Sequence, residues 1–215
     1  MEIFDNMGIN VMEKVKNFIK NHFDFRIYPV TILTILTAFA VIPCVKILPE
    51  TWGYENGILE NLQMVTLGIG LFLAISAKAN KKFFYFAGLI IFLLIAREVN
   101  YGRTLFFPIP GEVNAYYSWK EIKYGWLVNP IVGLYITGTV LYFIISKIYS
   151  QMWNIIKNVK FPVWNFVLLF VGMGLGEYAE KATENFVFEE ISELLFYVAL
   201  VGIIWLYGFN ERFKD

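Results

Sequence analysis

Apolar residues run without alternation through six stretches of the chain, near 29–48, 58–77, 83–101, 125–147, 161–179 and 187–208. Runs of that length predict helices that cross a bilayer, since a spanning helix takes roughly 20 residues at about 1.5 Å each. Strands of a membrane barrel would alternate apolar and polar positions instead. Two runs are short. Phe83 to Ala96 meets Arg97 and Glu98, and Phe161 to Gly176 meets Glu177. Each must borrow polar residues to cross the hydrocarbon, which places those residues near membrane depth. The expected fold is therefore all-α: an integral membrane bundle of six transmembrane helices over 28–215.

Residues 1–27 read differently. Val11, Val15, Phe18, Ile19 and His22 recur at helical spacing, with Glu13, Lys14, Lys16, Asn17, Lys20 and Asn21 between them. This pattern predicts an N-terminal amphipathic helix with a basic face. Such a helix suits the membrane interface or a dock on the bundle. No cleavable signal peptide is evident, because the first long apolar run starts near Tyr28 behind basic residues. Pro130 is expected to kink the fourth helix. The connection 102–124, broken by Pro108, Pro110 and Gly111 and rich in aromatics, is expected to be an outer loop.

Composition agrees with a membrane protein. Apolar residues make up 58% of the 215, and charged residues only 17%. A soluble domain runs at roughly 45–50% and about 25%. A secreted disulfide domain, a disordered chain and a nucleic-acid binder are excluded, and Cys44 has no partner for an internal disulfide. Membrane lipids and further copies of the chain are the partners left in view.

Net charge is zero, yet the charges are sorted. With the N-terminus in the cytoplasm, the inner side holds Lys14, Lys16, Lys20, Arg26, Lys78, Lys81, Lys82, Lys147, Lys157, Lys160, Arg212 and Lys214. The outer side holds only Lys46, Arg97, Arg103, Lys120, Lys123 and Lys181. That asymmetry predicts both termini in the cytoplasm of a cell-membrane protein. All six Trp residues fall near predicted helix ends, as aromatic belts require.

Acidic residues take the opposite side. Glu60, Glu98, Glu177, Glu180, Glu190 and Glu193 come from four helices at one outer depth. Glu177 and Glu180 are three apart, as are Glu190 and Glu193, so each pair shares a helix face. Charge at membrane depth is costly and usually turns inward with a partner. Arg97, Arg103 and Lys181 are the available cations, with Arg103 or a group on another helix expected to suit Glu98 better than the adjacent Arg97. Clustered oxygens suit Ca²⁺, Mg²⁺ or Mn²⁺, or a shared proton. The bland alternative is Glu–Arg pairs that lock helix ends, with the other carboxylates as solvated caps. The single His, His22, excludes a multi-His zinc site and a Ser-His-Asp triad. No haem, flavin or nucleotide signature is present. Gly172-x-x-x-Gly176 reads as a packing stripe.

Residues 97–106, Arg-Glu-Val-Asn-Tyr-Gly-Arg-Thr-Leu-Phe, resemble a Glu-Glu-x-x-Trp-Gly-Gln-Arg-x-x-Phe stretch of bacterial multi-pass membrane proteins that have no assigned activity. Glu55-Asn56-Gly57-x-x-Glu60 and Glu189–Glu193 resemble further acidic segments of those proteins. The same stretch is distantly similar to the Glu-Glu-x-x-x-Arg motif of CAAX-type membrane proteases. Here Arg97 stands for the first Glu, the Arg spacing is longer, and that family's His motifs are missing.

Three functions are left open. One is binding or translocation of a cation or small polar solute in an outward-facing acidic cavity. The second is a membrane-embedded hydrolase acting on lipid or peptide, with Glu98 as general base and Arg103 as anion stabiliser. The third is an oligomeric effector or scaffold without a catalytic site.

Overall fold

A computed structural model describes residues 2–213, with side chains from Met12 onward. Helix α1 (Glu2–His22) leads into a two-residue strand, Phe23–Asp24. Helices α2 (Pro29–Ile47), α3 (Ile58–Ser76) and α4 (Lys81–Glu98) follow. A short α5 (Arg103–Phe106) opens the long connection to α6. Then come α6 (Val128–Ile145), α7 (Ile148–Asn158), α8 (Val163–Ala182) and α9 (Phe186–Phe209).

The protein is all-helical apart from one two-residue strand pair among the described residues. Four stretches are long and apolar enough to cross a membrane: Pro29–Ile47, Glu50–Ser76, Gly125–Ile145 and Phe186–Phe209. Lys81–Glu98 makes a fifth when joined to Asn100–Phe106, to which it is bent by 56°. Helix α8 has spanning length, but its last turns carry Glu177, Glu180 and Lys181.

That 56° bend is set by backbone conformation. Tyr101 (φ 54°) and Gly102 (φ 91°) both lie in the left-handed region. Glycine enters it freely, whereas Tyr101 does so at a cost. Pro130 is only the third residue of α6. A first-turn proline fits a helix, because its missing N–H had no intrahelical partner. The kink expected inside the fourth helix therefore has no cause there, and the chain bends at 99–102 instead.

Helix α9 is the hub and packs on α8, α3 and α2. Over half of its spanning window is buried, 56%, against 6% for α6, which leaves most of α6 on the outside of the bundle. One core layer joins Leu67 and Ala74 of α3, Phe84 and Ile91 of α4, and Tyr197 and Ile204 of α9. A second joins Val41 of α2 and Leu59 of α3 to Val187, Ile191, Leu194 and Leu195 of α9.

Helix contact in lipid relies on close packing and polar links more than on apolar burial. Both are present. Thr31 on α2 donates to Asn165 Oδ1 on α8 at 2.6 Å, fully buried. Gly172 lets α8 approach the α9 backbone: a Cβ there would sit 2.6 Å from Phe196 N and 3.1 Å from Ser192 O.

At the opposite end from the acidic cluster, Phe23–Asp24 pairs in parallel with Phe161–Pro162. Trp164 Nε1 donates to Phe25 O at 2.8 Å. The segment after α1 is thereby tied to the start of α8. Helix α7 had a legible signal that the six apolar runs overshadowed. Ile148, Met152, Ile155, Ile156 and Val159 recur at helical spacing, with Asn154, Lys157 and Asn158 on the other side.

Candidate carboxylate site

Three helix ends converge on one acidic cluster. Glu98 closes α4, while Glu190 and Glu193 occupy the first two turns of α9. One carboxylate oxygen from each lies within 4.8 Å of the other two. Helix α3 supplies Glu60 and Gln63, three residues apart and so on one face. Gln63 Nε2 donates to Glu190 Oε2 at 2.7 Å and to Glu190 O at 2.8 Å. These two hydrogen bonds fix the start of α9 against α3.

Arg97 is the guanidinium that bridges the cluster. Its Nη2 donates to Glu193 Oε1 at 2.7 Å, and its Nε lies 3.5 Å from Glu98 Oε1. Tyr197 OH donates to the same Glu98 oxygen at 2.5 Å. Of the two partners expected for Glu98, the group on another helix is found in Tyr197, whereas Arg103 lies past the bend with its Nε buried and unpartnered. The α4 termination explains the difference. The helix stops at Glu98, so the Arg97 stem can turn from its own helix towards α9.

The connection between α4 and α6 covers this end of the bundle. Asn56 stands in the left-handed region (φ 59°). Its N–H donates to Glu60 Oε2, and its side-chain amide donates to Thr104 O at 2.7 Å and to Tyr116 OH at 3.2 Å. Tyr116 in turn donates to Glu55 O at 3.2 Å, and Glu55 N donates to Asn114 Oδ1 at 3.0 Å. Asn56 lies within the Glu55–Glu60 acidic stretch, whereas Gln63, Tyr116 and Tyr197 are neighbours of the carboxylates to which the acidic pattern does not point. For Gln63 a signal existed: it lies three residues after Glu60 in a run that is otherwise apolar.

Glu177 and Glu180 lie apart from this group. Both are exposed on the last turns of α8, and Glu177 pairs with Lys181 one turn on. The link from α8 to the cluster is Gly176, whose absent side chain makes room for the Glu193 stem; a Cβ there would lie 3.3 Å from Glu193 Cγ.

The arrangement is acceptor-rich. Glu98 is 5% and Glu193 20% exposed at the side chain. Glu60 Oε1 and Gln63 Oε1 are buried and have no hydrogen-bond partner. Buried polar atoms are ordinarily satisfied, so two orphaned acceptors beside three carboxylates call for a donor or a cation. Oxygen ligands around Ca²⁺ sit at about 2.3–2.6 Å from the ion, so ligands across it are up to about 5 Å apart. The 4.8 Å spread of the three carboxylates accommodates such an ion. No family model, curated protein or solved structure matches the chain.

Proposed function

We propose that the chain is a six-span protein of the cell membrane with both termini cytoplasmic, and that its outer helix ends bind a hard cation. The observation that carries this is the Glu98–Glu190–Glu193 oxygen triangle with the unpartnered Gln63 and Glu60 oxygens beside it. Carboxylate and amide oxygens select Ca²⁺, Mg²⁺ or Mn²⁺ over zinc or copper. The core layer of Leu67, Ala74, Phe84, Ile91 and Ile204 continues the bundle inward from the cluster and is apolar. This favours a binding site open to the outer side over a continuous pathway. A hydrolase would need Glu98 free to take a proton, whereas Tyr197 and Arg97 engage it.

The binding test uses Mn²⁺, whose free aqueous signal in electron paramagnetic resonance is lost on binding. The purified full chain should take up one Mn²⁺ in competition with Ca²⁺. Glu98→Gln and Glu190→Gln should each weaken binding tenfold or more, about 1.4 kcal/mol. Uptake that is absent at millimolar Mn²⁺, or untouched by both substitutions, would remove the cation site.

Orientation is tested separately. In a chain carrying Cys44→Ala, an impermeant maleimide added to intact cells should label Val113→Cys and miss Lys78→Cys, both positions being exposed. The reverse pattern would put the acidic end in the cytoplasm.

A further inference from the structure

At the opposite end of the bundle from the carboxylates lies a half-enclosed apolar groove of about 570 Å³. Its walls come from the first half of α4 (Phe83, Ala87, Ile90), one side of α7 (Met152, Ile156), and the final third of α9 (Ile203). The volume falls within the roughly 300–1,000 Å³ of ordinary ligand sites. Such a groove in a membrane protein opens onto acyl chains rather than water.

Its rim is basic. Lys81 and Lys82 begin α4 immediately before Phe83. Lys157 sits beside Ile156 on α7, with its ammonium 4.8 Å from the Trp153 ring centroid. Lys160 follows Val159 and precedes Phe161, both of which line the groove. Tyr207 OH, also in the lining, donates to Lys160 O at 3.3 Å and holds that turn over the groove. Four lysines next in the chain to residues at one end of an apolar slot match a molecule with a negative head and a hydrocarbon tail.

We propose that this groove is a binding site for an anionic phospholipid of the inner leaflet. One acyl chain lies between α4, α7 and α9, and the phosphate is held by Lys82, Lys157 and Lys160. Helix α7 forms the outer wall: its apolar side closes the groove and its polar side lies in the headgroup layer. The lipid would staple α7 to α4, which otherwise meet over a small area. The site is independent of the carboxylate cluster; its assignment to the inner leaflet rests on the proposed orientation, and lipid binding itself needs only that the chain resides in a bilayer.

The test is native mass spectrometry of the full chain released from mixed micelles containing phosphatidylglycerol or phosphatidylcholine. One phosphatidylglycerol should be retained in preference to phosphatidylcholine. Each basic residue near a membrane surface contributes roughly fivefold, so Lys82→Gln with Lys157→Gln should weaken phosphatidylglycerol binding about thirtyfold and leave phosphatidylcholine unchanged. Both lysines are exposed, so the double variant should fold. Ala87→Trp, which fills the groove, should abolish retention of both lipids. Equal retention of the two lipids by the native chain would overturn the proposal, as would retention unaffected by Ala87→Trp. Inorganic phosphate that displaces the lipid at millimolar concentration would make this a phosphate site and overturn the lipid assignment. A loss of dimer on Ala87→Trp with lipid retention unchanged would assign the groove to a second copy instead.

Discussion

Gly172→Ala is expected to lower the melting temperature by about 6–12 °C. At this position α8 approaches the hub helix backbone to backbone. An added Cβ would lie 2.6 Å from Phe196 N and 3.0 Å from Phe196 Cα. No side-chain rotation relieves such a contact, because the obstacle is main chain. The helices must separate, and the α8–α9 interface must repack. Overpacking typically costs about 1–3 kcal/mol, and a backbone clash belongs at the top of that range. For a chain of this size each kcal/mol shifts the midpoint by about 2–4 °C. Gly174→Ala serves as the control, since nothing lies within 4 Å of its added Cβ. It should leave the midpoint unchanged or raise it slightly through helix propensity. Equal effects of the two substitutions in a thermal-melting assay would show that α8 and α9 are not in close contact at Gly172.

The glycine spacing itself was visible in the sequence as Gly172-x-x-x-Gly176, with Gly174 between. Which of the three glycines face a neighbour depends on helix rotation, and that is set by tertiary contacts of Asn165, Ser192 and Phe196. The six apolar runs predicted where helices form, and their ends needed only small shifts. Continuous apolarity records lipid or core surroundings and says little about which side of a helix meets which neighbour. That is why the central place of α9 could not be read, although its residues 194–206 are apolar throughout.

The acidic cluster was legible in part for the same reason. Carboxylates at four helix ends share a depth, and depth is a one-dimensional property of the sequence. Whether they meet depends on rotation about each helix axis. Rotation brings Glu98, Glu190 and Glu193 together and leaves Glu177 and Glu180 on the surface. The partners Tyr197 and Gln63 looked like interior residues of apolar helices, and only the fold gives them an acidic neighbour. Helix α7 is harder to read because its apolar side is short, and amphipathic segments stand out less than spanning runs.

Arg97→Met is expected to lower the melting temperature by about 4–8 °C and to strengthen divalent-cation binding. Methionine keeps much of the aliphatic stem while removing the guanidinium that bridges Glu98 and Glu193. Breaking a fully buried ion pair typically costs about 3–5 kcal/mol, whereas an exposed pair is worth about 0–1 kcal/mol. This bridge is intermediate: the Arg97 side chain is 57% exposed, and the carboxylates it serves are mostly buried. A loss of about 2 kcal/mol follows, or about 4–8 °C at this chain length. Lys181→Met is the comparison. It removes the exposed partner of Glu177 and should leave the midpoint unchanged, because solvent already screens that pair. The cation response separates a structural lock from a binding site. If Arg97 only ties α4 to α9, its loss should be irreparable by added metal. If the triangle of carboxylates is a cation site that the guanidinium partly neutralises, Ca²⁺ or Mn²⁺ should bind the variant more tightly than the native chain. A ligand that binds only the folded state then restores stability by mass action, by about 2.7 kcal/mol at a concentration one hundred times its Kd. Recovery of the native midpoint in millimolar Ca²⁺, reversed by chelator, is the expected result. A variant that melts low at every cation concentration would assign the cluster to helix locking and withdraw the cation site.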